Sequence, residues 1–180
     1  MSPFPNWHPL VVHFPIALVL SAMALLLAAR LLRRESLAAS AATVGTWNLC
    51  LGAAAALVAL GTGLSAVIDL HVSDAVRQAI SQHLKWAMLT TLLVVLLAVW
   101  RGAGTAASSR PSWLFLVVLM AASAALVFTA YRGGKNVYEY GVGVGARKIA
   151  ARSFEAPRGD PVDAMCPDGC CCYCAGMDPV

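Results

Sequence analysis

The residues of this chain best suited to chemistry are four histidines, His8, His13, His71 and His83, and five cysteines crowded near the C-terminus, Cys166, Cys170, Cys171, Cys172 and Cys174. Neutral imidazole ligates haem iron, zinc and copper, and helical bundles build cofactor sites from side chains on facing helices. The histidine spacing limits which rings can share a ligand. His8 and His13 are five apart, which in a continuous helix is about 140° of rotation and roughly 7.5 Å of rise, so they do not share a face. Each therefore meets a partner on another segment. A bis-histidine pair of His13 with His83 is the favoured arrangement, with His8 and His71 as a second site or as supporting residues. The plainer reading, in which interfacial histidines anchor to headgroups or cap helices, stands beside it.

The cysteines lie between Met165 and Met177 on a segment containing Pro-Asp-Gly and no helical period. Thiolates and thioethers at this density suit Cu(I) or zinc, while disulfides in an oxidising compartment, or a tail of free thiols, are equally open readings. The spacing does not reproduce the paired C-x-x-C units of a zinc finger. Cys50 and Met23, inside apolar runs, read as packing residues.

The elements that position these groups follow from composition. Of 180 residues 59% are hydrophobic and 12% charged, with a mean hydropathy of +0.72, which excludes a soluble globular domain. Four apolar runs, at 14–32, 44–68, 84–100 and 113–131, are long enough to cross a bilayer. The expected fold is an all-α integral membrane four-helix bundle over residues 1–145, followed by an irregular Cys-rich tail over 146–180. The first run lacks a basic leader segment and is too long for the apolar core of a signal peptide, so it is retained as a span. Gly52, Gly61 and Gly63 in the second run allow close helix packing. Pro111 falls near a plausible first position of the fourth helix. No internal repeat is evident. The formal net charge of +4 sits at the ends of the apolar runs rather than on one soluble face, which argues against a nucleic-acid partner.

Orientation rests on the first helix. It has no charge before it and Arg30, Arg33 and Arg34 at its far end, which places both termini and the histidines on the extracytoplasmic side. Arg132 and Lys135 then share the histidine face, where they fit haem propionates as well as ordinary interfacial snorkelling. Asp69 reads as an interfacial cap or a histidine partner. No nucleophile with a base, no phosphate loop and no zinc-protease helix is present, so stand-alone catalysis is not expected.

Three stretches carry a family resemblance. Trp7-His8-Pro9-Leu10-Val11-Val12-His13-Phe14-Pro15 resembles the opening of the bacterial membrane family called domain of unknown function 2231. Gly61 to Asp69 followed by His83-Leu84-Lys85-Trp86, and Tyr131-Arg132-Gly133-Gly134-Lys135 with the run from Tyr138 to Val144, are similar to its later segments. The resemblance covers about residues 7–145. It implies a four-helix protein of the bacterial inner membrane, and its members' association with cytochrome-type electron carriers supports haem. Together these readings give an electron-transfer subunit binding haem b, working with redox partner proteins in the lipid bilayer. A copper- or zinc-handling protein using the tail, or a structural subunit of a larger membrane complex, are the alternatives.

Overall fold

In the computed structural model the described residues are 7–67, 72–104 and 109–142, and all of them lie in the first of two units, Met1–Gly143. They form α1 (His8–Val11), α2 (His13–Leu31), α3 (Glu35–Val67), α4 (Asp74–Gly104) and α5 (Trp113–Tyr140), with no strand among them. α1 is one turn, and Val12 joins it to α2 in helical conformation (φ −61°, ψ −23°), so the two make a single span, His8–Leu31. This span, α3, α4 and α5 are each long and apolar enough to cross a membrane. The all-α four-helix architecture is as the apolar runs indicate.

The helices outrun those runs. α3 starts at Glu35 rather than Val44, α4 at Asp74 rather than Leu84, and α5 continues through Tyr131 to Tyr140. Hydropathy marks where lipid begins, whereas backbone hydrogen bonding propagates until a breaker, and neither 35–43 nor 74–83 contains Gly or Pro. α5 survives Gly133 and Gly134 and stops at Gly141, whose φ of 62° is the left-handed conformation of a helix C-cap; its N–H donates to the Val137 carbonyl at 3.0 Å. At the other end Ser112 is the N-cap, accepting from the Phe115 N–H at 3.2 Å, so Pro111 precedes the helix instead of opening it.

Packing follows the inverse of a soluble bundle. Leu10, Phe14, Trp47, Leu51, Leu92, Leu114 and Val117 are exposed, as lipid-facing side chains are, while the buried seams are built from small residues. On α3 the buried positions Ala38, Ala42, Gly45, Leu49, Gly52, Ala56 and Ala59 advance in alternating steps of four and three, the heptad of left-handed knobs-into-holes packing. Pro15, Val19, Ala22, Leu26 and Ala29 do the same on α2. Helices neighbour one another in a closed ring, α2 with α3, α3 with α4, α4 with α5 and α5 with α2, which sets the first span diagonally across from α4.

Polar groups in this apolar setting are paired locally or across helices. The Asn48 amide donates to Ser21 Oγ at 3.0 Å, and the Thr90 and Thr129 hydroxyls share a hydrogen bond of 3.0 Å. At the end opposite the histidines, Arg101 is 3% exposed, donating from Nε to Thr46 Oγ1 at 3.1 Å and from its terminal nitrogens to the Ser109 hydroxyl and carbonyl. Arg110 ties the adjoining loops together through the Leu32 carbonyl (2.9 Å) and Glu35 (2.8 Å).

Candidate functional site

At the histidine end of the bundle, the half-buried imidazoles among the described residues are those of His8 and His83. His8 sits on the short α1 and His83 lies more than two turns inside α4, because α4 begins at Asp74; the expectation that His83 opens its helix is corrected accordingly. Both rings lie at the same end of the bundle, on helices that stand diagonally across from one another. His13, five residues further along the first span, is exposed. The roughly 140° between positions five apart, which separates His8 from His13, sends His8 inward and His13 out. His71 and Asp69 fall outside the described residues, as do Cys166, Cys170, Cys171, Cys172 and Cys174.

Each inward ring rests on a glycine of a neighbouring helix. A Cβ at Gly63 on α3 would stand 2.9 Å from His8 Cε1 and 3.2 Å from its Nδ1, and a Cβ at Gly133 on α5 would stand 3.0 Å from His83 Cε1 and 3.5 Å from its Nδ1. These glycines are what allow a flat imidazole to lie directly on helix backbone. His8 Nδ1 is 3.0 Å from the Ala59 carbonyl oxygen and 3.3 Å from Thr62 Oγ1. A carbonyl only accepts, so Nδ1 donates, and in the neutral ring Nε2 then carries the lone pair that binds a metal. Such a bond from the far ring nitrogen to a carbonyl is the usual support of a ligating histidine. His83 Nδ1 is buried with no hydrogen-bond partner among the described residues, although the Thr129 carbonyl faces the ring.

The surroundings of His83 are aromatic and basic. Trp86 meets Phe128 edge-on at 4.9 Å, and the Arg132 guanidinium lies 5.7 Å from the centre of the Phe128 ring. Arg132 also borders a shallow groove of about 230 Å³ lined by Gln78, Gln82 and Tyr140. Lys135 points to a different environment, paired with Glu139 at 3.4 Å one turn on. Of the two basic residues read from the sequence, Arg132 directly precedes Gly133, against which His83 lies.

The donor set decides what this end of the bundle can hold. Among the described residues no group of three or more His, Cys, Asp and Glu side chains converges, so they do not form the closed three- or four-ligand shell of a zinc or copper centre. Two imidazoles and a guanidinium are donors of the kind that would suit a group taking two nitrogen ligands and carrying carboxylates, as haem does. The glycines holding the rings are the signal that sequence reading passed over. Gly63 was assigned to helix packing, and Gly133 was placed beyond the end of the fourth helix.

Against known proteins, the family described as predicted membrane protein (DUF2231) matches residues 5–146. No curated protein and no solved structure matches the chain.

Proposed function

The chain belongs to the DUF2231 family of predicted membrane proteins, and from that premise we propose that it is a membrane electron-transfer subunit in which His8 and His83 hold a b-type haem. The observation that carries this reading is that two half-buried imidazoles at one end of the bundle, on diagonal helices, each lie against a glycine of a neighbouring helix, one fixed with its Nδ1–H on the Ala59 carbonyl. Haem bound there supplies a one-electron couple. The chain's own contribution is to present Nε2 of His8, to bring His83 toward the same place, and to offer Arg132 to a propionate. The Phe128 ring under the Arg132 guanidinium, itself packed on Trp86, lowers the dielectric around that charge, which strengthens its interaction with a carboxylate.

The flanks of the first span support an orientation. No charge precedes it and Arg30, Arg33 and Arg34 lie at its C-terminal end, the asymmetry of a helix whose far end is cytoplasmic, so the histidine end and both termini are periplasmic in a bacterial inner membrane. Electrons then pass between a quinone or partner protein in the bilayer and an extracytoplasmic acceptor. Titration of the purified protein with haem tests the proposal. One haem per chain with a low-spin, two-histidine spectrum supports it, and a protein that takes up no haem at stoichiometric ratio contradicts it.

A further inference from the structure

The two histidines are held by the same device, used twice. His8 lies against Gly63 and donates to the carbonyl of Ala59, four residues before that glycine; His83 lies against Gly133 and faces the carbonyl of Thr129, four residues before that glycine. The order of approach is also shared: in both units Cε1 is the ring atom nearest to the glycine, at 2.9 and 3.0 Å, and Nε2 stands at 3.5 Å.

Register extends the equivalence. His8 precedes the buried Pro15 by seven residues and His83 precedes the buried Thr90 by seven, so both occupy the same heptad position of their seams. Gly63 follows Ala59 by four and Ala56 by seven; Gly133 follows Thr129 by four and Leu126 by seven. The ring of helix contacts completes the correspondence. A two-fold axis along the bundle sends the first span onto α4 and α3 onto α5, carrying His8 to His83 and Gly63 to Gly133. The site is therefore a layer of two histidines and two glycines on an internal two-fold between repeated helical hairpins.

We infer that Gly63 and Gly133 are the positioning residues of a symmetric two-imidazole site, each setting its histidine with Nδ1 protonated on the carbonyl four residues back and Nε2 as the ligating nitrogen. This rests on the metal-ligand reading of the site and deepens it, by naming the ligating atoms and the residues that select them. His83 Nδ1 has no hydrogen-bond partner among the described residues, and the correspondence with His8 assigns it the Thr129 carbonyl. A side chain at either glycine displaces the ring from that carbonyl and releases the choice of nitrogen.

The tautomers report this directly. In ¹⁵N-histidine-labelled protein carrying His13→Gln and His71→Gln, long-range ¹⁵N–¹H spectra taken at about pH 8, above the ordinary imidazole range, show both remaining rings protonated at Nδ1. Gly63→Ala changes the tautomer balance of His8 alone and Gly133→Ala that of His83 alone. Gly61→Ala and Gly134→Ala, where an added methyl meets nothing within 4 Å, leave both as they were. An Nε2-protonated ring at either position in the parent protein overturns the inference, as does a Gly133→Ala variant with an unchanged His83. Should an alanine variant fail to fold, the parent spectrum still decides. These signals need no haem, so a protein with both rings in the stated tautomer that remains colourless with haem would contradict the electron-transfer reading while leaving the positioning role intact.

Discussion

The Nδ1 atom of His8 stands 3.0 Å from the carbonyl oxygen of Ala59, a contact that joins the first turn of the chain to the far part of α3. Ala59 is a buried seam residue whose carbonyl also accepts from the Thr62 hydroxyl at 3.0 Å, so the acceptor is fixed before the ring arrives. A one-turn helix has little stability of its own. Tethering it through the histidine side chain gives α1 a defined position and, at the same time, fixes which ring nitrogen is left to bind a ligand.

Arg132 and Lys135 differ in what they face, and the difference is measurable. Arg132→Leu weakens haem binding about tenfold, or about 1.4 kcal/mol, because a propionate loses its guanidinium partner. Lys135→Leu changes affinity by less than about twofold, since its ammonium is already engaged with Glu139 at the surface. Haem titrations of both variants check this; equal losses would remove Arg132 from the site.

Arg101 is a structural residue at the opposite end. The residue is 3% exposed and its guanidinium donates to Thr46 and Ser109, so Arg101→Ala leaves a cavity, removes these hydrogen bonds and lowers stability by about 2–4 kcal/mol. Thermal unfolding in detergent is the readout. The visible spectrum of the surviving folded protein stays that of the parent.

Close approach of α2 and α3 depends on the glycines of the α3 seam. A Cβ at Gly52 would stand 2.9 Å from Val19 Cγ2 and 3.4 Å from the Val19 backbone nitrogen. Gly52→Val therefore overpacks the interface and costs about 1–3 kcal/mol. Gly61→Val, pointing into open space, costs less than half as much in the same unfolding measurement.

The fold was legible because its cause is one-dimensional. Runs such as 14–32 and 113–131 are apolar all round, and only a spanning helix satisfies their backbone in lipid. Helix ends were not, because Glu35, Asp74 and Tyr140 lie where helices project past the apolar runs and hydropathy carries no signal. The site was legible in part. That His8 and His83 lie at the same end follows from the placement of the spans. That His8 turns inward while His13 is exposed is not legible there, because hydropathy locates a helix without fixing its rotation. The seam does fix it, and once Pro15, Val19 and Ala22 are known to be buried, seven residues back from Pro15 is His8. The repeat escaped notice for a related reason: equivalent positions such as Ala59 and Thr129, or Ala56 and Leu126, share a place in the heptad but not a residue type.

The measurement closest to the central claim is a reduced-minus-oxidised visible spectrum of the haem-loaded protein, compared with His8→Ala, His83→Ala and His13→Ala. The account predicts sharp low-spin b-type bands in the parent and in His13→Ala, and their loss in His8→Ala and in His83→Ala. Bands that persist without His8, or that vanish with His13, would contradict it.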